Sequence, residues 1–285
     1  MAKPLKDTLI AKLLEGRTPQ AAPEGSDWLH VMIDEQIERD QPFWRAQSTF
    51  FRASSCGEPC IRALTFNAMG HNVPHEARML RLFGVGNAIE ANLIPVFESA
   101  GVLIDTQGEV IFEEDGVPML VGHYDLLIKR RGTEERWLGE IKSINLNRFT
   151  KLPLEHASAE RNVNELLRQH PKYVIQWTVY AASPQVDTNR GFLLFEHKND
   201  SAQKIYELIV NQDLLNSTMA KVREAWQYIR DRDNQRLAPV PVNRDPNNFR
   251  DPVCKWCPAA YLCRRLPDGE VSYDDVRAED AKLRG

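Results

Sequence analysis

Asp125, Glu140 and Lys142 are the residues whose types and spacing can do chemistry in this chain. They fall in Met119–Ser143, which reads as two strands joined by the charged turn Lys129-Arg130-Arg131-Gly132. Asp125 is expected within the first strand and Glu140-Ile141-Lys142 at the end of the second. Side chains alternate between faces along a strand, so Glu140 and Lys142 share one side and Ile141 points to the other, toward a core. Two carboxylates and an ammonium that converge in this way suit a hard divalent cation, with the lysine beside a water or a phosphate. The plainer alternative is a solvated hairpin face. Against it stands the company these charges keep: Asp125 lies between Tyr124 and Leu126-Leu127-Ile128, and Glu140 lies between apolar Leu138 and Ile141. Charge set in apolar segments is costly unless paired or bound to a metal.

Cysteine supplies the second chemistry. Of five cysteines, Cys254, Cys257 and Cys263 form C-x2-C-x5-C after a connection containing Pro239, Pro241, Pro246 and Pro252, while Cys56 and Cys60 stand far upstream. Inside a cell such spacing argues for metal or redox chemistry over disulfides, and four thiolates can hold zinc or an iron–sulfur cluster. Unrelated buried cysteines are the alternative. Three of them within ten residues are unusual for packing alone.

Two helices should carry the remaining candidates. Spacing of Leu80, Leu82, Phe83, Ile89, Leu93 and Phe97 predicts a helix starting near Val85, after Gly84, which puts Glu90 on the face of Gly86, Leu93 and Phe97. Pro171 can open a second helix running to Ala182, on which Tyr173, Gln176, Trp177 and Tyr180 share a face. An aromatic stripe is usually core; Gln176 within it is harder to explain, because a buried amide needs partners. His71, His75 and His123 read as structural or exposed residues.

Asp125, fourteen intervening residues and then Glu-x-Lys resembles the PD-(D/E)XK nuclease pattern. Its neighbours, Gly86-Asn87-Ala88-Ile89-Glu90, Gly122-His123-Tyr124-Asp125, Gly139-Glu140-Ile141-Lys142 and Gln176-Trp177-Thr178-Val179-Tyr180, resemble the RecB-like branch over roughly Arg52 to Arg265. Tyr124 stands where the fold's name has proline, and Glu90 stands where the RecB-like branch usually has histidine, as in some phage-type exonucleases. The cysteine layout is similar to iron-staple members such as CRISPR adaptation nucleases and helicase-nucleases. That resemblance implies a [4Fe-4S] cluster on Cys60, Cys254, Cys257 and Cys263, with Cys56 competing with Cys60. Zn2+ is the alternative metal. It further implies a mixed central sheet flanked by helices, with chain ends tied by the cluster across a loop of almost two hundred residues. For the site it implies Mg2+ or Mn2+ held by Glu90, Asp125, Glu140 and the Ile141 carbonyl, with Lys142, Gln176 and Tyr180 as catalytic partners. The implied activity is a DNA exonuclease acting on single strands or free ends, with recombination, helicase or CRISPR proteins as partners. A non-catalytic, metal-stapled DNA-binding scaffold is the rival reading.

These elements must be positioned by the rest of the chain. With 285 residues, 42% hydrophobic and 27% charged, a soluble globular protein with a sizeable core is expected. The alternation of strand and helix patterns reads as α/β, and the resemblance implies a bacterial or phage-encoded protein acting inside a cell. There is no membrane-length apolar run and no secretory leader pattern in Met1–Gly16. A net charge of -4 gives no global attraction to nucleic acid, so DNA would be met by local groups: Lys129-Arg130-Arg131, Arg148 with Lys151, or Arg264-Arg265. Each can equally be ordinary solvated surface. Residues 1–50 read as a helical segment, with helices at Lys3–Leu14 and from Asp27 joined by an Ala/Pro-rich linker, and residues 51–285 as the nuclease domain. Strands are expected at Val110–Glu114, Gly191–Glu196 and Gln203–Val210, then a long helix through Leu215, Met219, Val222 and Trp226.

Overall fold

The computed structural model describes residues 27–284 apart from 40, 43, 157 and 249. The expected helix at Lys3–Leu14 and the linker after it lie outside them. In chain order the elements are α1 (Asp27–Glu38), β1 (Phe51–Arg52), α2 (Ile61–Ala68), α3 (Ala77–Ser99), β2 (Leu103–Thr106), β3 (Glu109–Glu114), β4 (Val117–His123), β5 (Leu126–Lys129) and β6 (Arg136–Ile144). They continue with α4 (Leu146–Phe149), α5 (Ala159–Gln169), α6 (Pro171–Ala181), β7 (Arg190–His197), β8 (Gln203–Ile209), α7 (Gln212–Trp226), β9 (Arg236–Leu237), α8 (Ala260–Cys263), β10 (Val271–Ser272) and α9 (Tyr273–Arg284). The chain divides into two compact units. One holds Phe50–Glu58 and Arg81–Glu224; the other holds the described residues up to Thr49, Pro59–Leu80 and Ala225 onward.

The larger unit is mixed α/β, as the alternation of strand and helix patterns predicts. Its five-stranded sheet has the order β2-β5-β6-β7-β8. Within this sheet β6 and β7 are the parallel pair, with Glu140 opposite Leu193 and Lys142 opposite Phe195. A parallel pair needs a long crossover, and α4, α5 and α6 supply it. Asn145 caps α4 and Ser158 caps α5, each accepting from the N–H three residues on, and Pro171 opens α6 where a missing N–H costs nothing. Ile89 of α3 packs with Leu126, Ile141, Phe192 and Leu194, joined by Leu93 and Phe97. Across the sheet, the Trp177 Nε1–H of α6 donates to the Leu138 carbonyl at 3.1 Å. Burying Trp177, Leu138 and Leu193 completely is the kind of apolar burial that contributes roughly 1.5–3 kcal/mol per large side chain.

Two expectations need correcting here. Met119–Ser143 is not one hairpin: β4 belongs to a separate three-stranded sheet, β1-β4-β3, and the chain changes sheets at Tyr124-Asp125. Asp125 therefore sits in a bend, not in a strand. The cause is the turn at Asp115-Gly116, φ 54° and 74°, which folds β4 back onto β3 and leaves β5 to pair with β6. In addition, α3 starts at Ala77 and runs through Gly84, Gly86 and Pro95 for 23 residues. Its apolar face against the sheet outweighs the propensity cost of those residues.

In the smaller unit the strands β9 and β10 are two residues each, and the core gathers Phe66, Met69, Leu237, Leu262 and Val276. With so little ladder, side chains do the fastening. Arg62, only 1% exposed, donates through Nη1 to the Ala238, Asp268 and Gly269 carbonyls and through Nη2 to that of Pro267. A buried network joins His71 to Tyr261 at 3.1 Å, and Asp280 accepts from Tyr261 at 2.9 Å and from Trp44 at 2.7 Å. On α1, Trp28, Leu29, Val31 and Met32 are exposed and Ile37 is half-buried. Among the described residues no helix is long and apolar enough to cross a membrane.

Candidate active site and cysteine pocket

In the larger unit, register brings the first candidates together. Leu126 pairs with Gly139, so the bend residue Asp125 arrives beside Glu140, and its Oδ2 accepts from the Ile141 N–H at 2.6 Å. Alternation along β6 then acts as expected. Ile141 turns into the α3 side of the core, while Glu140 and Lys142 project together and the Lys142 ammonium donates to Glu140 Oε1. The same Oε1 accepts from Gln176 Nε2 at 2.7 Å, and that amide also donates to the Tyr180 hydroxyl at 3.3 Å. Gln176 thus finds the partners its burial demanded. Gly122 makes room for this: a Cβ there would lie 2.7 Å from Ala53 Cβ and 2.8 Å from the Tyr180 ring.

Glu140 is fully buried, and its second oxygen, Oε2, has no hydrogen-bond partner among the described residues. Burial pushes its carboxyl up to about 8, against the pull of Lys142. Asp125 is also raised, by burial first, against Lys142 and the Ile141 N–H. Burial works against the charge of Lys142, but Glu140 and Asp125 outweigh it and hold the ammonium protonated. The Lys142 ammonium also lies 5.6 Å from the Tyr173 ring centroid. Glu90 on α3 is half-buried and raised by burial and then by Asp125; its carboxylate accepts from Gln107 Nε2. Gln107 was not foreseen as a partner. Its left-handed backbone, φ 53°, places it in the turn before Gly108, and Gln107-Gly108 after Asp105-Thr106 was the available signal. Tyr124, standing where the resemblance would have proline, donates to Asp105 Oδ2 at 2.5 Å and so braces the bend that carries Asp125.

In the smaller unit, Cys60, Cys254, Cys257 and Cys263 line one small cavity with Arg62, Phe66 and Val253. Burial pushes the Cys254 thiol up to about 11, with Asp251, Cys60 and Cys263 adding to it. Cys263 is raised by burial, while Arg62 pulls it the other way. Asp251 Oδ1 accepts from the N–H groups of Val253 and Cys254 at 2.8 and 2.9 Å, which shapes the loop entering C-x2-C. Cys56 belongs to the larger unit. It is fully buried, pushed up to about 12, and its carbonyl accepts from Lys221 at 2.7 Å. As placed, no group of three or more His, Cys, Asp or Glu among the described residues is arranged to hold a metal ion.

A scan against protein-family models finds no match, and no curated protein matches the chain. Among solved structures the chain is similar to SSO0001, at 11% identity over 83% of this chain and 96% of that one, with a TM-score of 0.47. It is also similar to an alkaline exonuclease, LHK-Exo, from Laribacter hongkongensis, at 14% identity, 66% and 91% coverage and a TM-score of 0.40. The same exonuclease in complex with dAMP gives 14% identity, 66% and 91% coverage and a TM-score of 0.41.

Proposed function

We propose that the chain is a divalent-metal-dependent deoxyribonuclease of the PD-(D/E)XK, RecB-like kind, acting on single strands or DNA ends. One observation carries this: a fully buried carboxylate, Glu140, is held between Lys142 and Gln176 with one oxygen unpartnered, beside Asp125 at the corner of a sheet. Buried charge of this kind is expensive and persists where a site uses it. The donor set fits a hard cation, because an orphaned buried carboxylate oxygen and a second raised carboxylate are what such an ion would neutralise. Glu90, Asp125, Glu140 and the Ile141 carbonyl would hold Mg2+ or Mn2+. When bound, the ion supplies Lewis-acid polarisation of the phosphate and a more acidic water.

The chain's own residues do the rest. Lys142, whose ammonium form Glu140 and Asp125 favour, donates to the scissile phosphate and orients the attacking water. Gln176 fixes Glu140 in the rotamer that presents Oε2, and Tyr180 accepts from Gln176 behind it. The Ile141 N–H holds Asp125 in position without drawing on the side of Glu140 that carries Oε2.

In the smaller unit, Cys60, Cys254, Cys257 and Cys263 would hold a [4Fe-4S] cluster, or Zn2+ in its place. The fit rests on four thiols lining one cavity next to the Arg62 guanidinium, which offsets thiolate charge. Bound there, the metal group supplies a cross-link between segments that share little backbone ladder.

The test is digestion of end-labelled linear single- and double-stranded DNA beside a closed circle, with Mg2+ or Mn2+, using wild type and Asp125→Ala. Loss of linear forms by wild type alone, with the circle spared, is expected. No cleavage of any form by metal-replete wild type would overturn the enzyme reading in favour of a DNA-binding scaffold.

A further inference from the structure

Beside the carboxylate site, and sharing Tyr173 with it, lies a cavity of about 640 Å³ lined by Arg148, Lys151, Gln169, His170, Pro171, Lys172 and Tyr173. From the geometry we infer that this cavity is a nucleotide subsite, which takes one unpaired nucleotide of the DNA strand next to the scissile phosphate. The inference rests on the nuclease reading for the identity of the strand.

Charge is the first ground. Three cations line the cavity and no carboxylate does. Lys172 is paired with Glu58 at 2.7 Å, but Arg148 and Lys151 have no ion-pair partner among the described residues, so their charge is available to a phosphate. The second ground is the aromatic pair that lines the same cavity. His170 and Tyr173 stack with ring centroids 5.7 Å apart and planes at 11°, and His170 also leans on Phe195 at 5.5 Å, so the pair is a braced aromatic face. Burial and Arg148 hold His170 below its ordinary range, so it offers a neutral ring and not a further charge. Phosphate-binding cations beside an aromatic face are the two parts of a single-strand platform, since every base has a face to stack.

Size is the third ground. The volume falls in the range of about 300–1,000 Å³ that encloses a small-molecule ligand. One nucleotide fits such a space, and a stacked pair in a duplex cannot present its face there. Position completes the case. Tyr173 lines the cavity and its ring centroid lies 5.6 Å from the Lys142 ammonium, so a nucleotide held in the cavity is next in line to a phosphate at Lys142.

The experiment is equilibrium binding by the full chain in buffer without added Mg2+ or Mn2+, so that no cleavage is expected while the cysteine-bound group is kept, with fluorescein-labelled oligo(dT), a blunt hairpin duplex, and unlabelled thymidine 5′-monophosphate as competitor. Arg148→Ala/Lys151→Ala should weaken oligo(dT) binding at least tenfold, with the log–log salt slope falling by about 0.7 per lost phosphate contact. Tyr173→Leu should weaken oligo(dT) severalfold at unchanged slope, and both variants should leave duplex binding within twofold. Thymidine 5′-monophosphate should compete only at concentrations a hundredfold above oligo(dT). Unchanged oligo(dT) binding in the double variant, or equal losses for oligo(dT) and duplex, would overturn the subsite. Competition by the mononucleotide at matched concentration would overturn its assignment to the strand. Because no Mg2+ or Mn2+ is added, a failed nuclease reading shows instead as intact single-strand binding without cleavage when Mg2+ is restored.

Discussion

The carboxylate site and the cysteine pocket both bury groups that water would otherwise solvate, and they do it by opposite means. Around Glu140 every neighbour is fixed by regular structure: β6 supplies Lys142 two residues on, α6 supplies Gln176, and the β4–β5 bend supplies Asp125. The charges answer one another before any metal arrives. Around Cys254 the backbone is loops and short turns, organised by Arg62 and Asp251, and burial holds Cys254 and Cys263 in the protonated form. The first region is preorganised for chemistry. In the second, the proposed metal would have to make the thiolates as it binds, releasing protons. A site on the sheet should therefore lose activity on mutation with little loss of fold, and a site on loops should lose fold.

The largest effect that would sharpen this contrast is on turnover. Glu140→Gln and Asp125→Ala should each reduce Mg2+-dependent cleavage of linear DNA by roughly 10²–10³ while circular dichroism and the unfolding midpoint stay near wild type. Retention of more than a tenth of the rate would break the assignment. Next comes the pocket: Cys257→Ser should abolish the brown colour and the broad absorbance near ~400 nm expected of a [4Fe-4S] protein. It should also lower the midpoint by on the order of 10 °C, since about 1 kcal/mol moves a small unit of this kind ~4–8 °C. A colourless wild type that contains zinc would keep the comparison and change the metal.

A smaller effect is expected from Gln176→Ala, which frees the Glu140 carboxylate without removing a charge. Cleavage should fall about tenfold, and Gln176→Glu should not restore it, because a second carboxylate would repel the first. The smallest is a pH effect in the cysteine-bearing unit. Burial lowers His71 to about 4, so its neutral form is the folded one. The unfolded chain then binds the extra proton below its ordinary value of 6.5, and stability present above that pH is lost as pH falls toward 4. Between pH 6.5 and 5.5 the loss should be on the order of 1 kcal/mol. His71→Gln should flatten that slope in chemical unfolding, and an unchanged slope would remove His71 from the account.

Much of the larger unit was legible from periodicity. The alternation of Gly139-Glu140-Ile141-Lys142 places Ile141 in the core and its neighbours in the site, and the i, i+3, i+4, i+7 stripe from Tyr173 to Tyr180 faces β6. What escaped is what local pattern does not encode. Nothing in Gly122-His123-Tyr124-Asp125 says that the chain leaves one sheet for another, because that depends on the pairing partners of β4 and β5. Nor does glycine content reveal that α3 passes through Gly84 and Gly86, since the Phe192 and Leu194 side chains it covers come from far along the chain. The Lys142–Tyr173 contact and the cavity beyond it likewise need the crossover from β6 to α6 to be closed in space.

The central position of β6 has a consequence in time as well as in space. With β5 on one side and β7 on the other, the amides of Gly139 to Ser143 exchange with solvent only when the sheet itself opens, an event as rare as unfolding of the unit. On the proposed reading, the strand that carries Glu140 and Lys142 therefore takes no part in any opening motion. On that same reading, any opening around a bound strand would fall to the crossover after β6, where α4 spans a single turn.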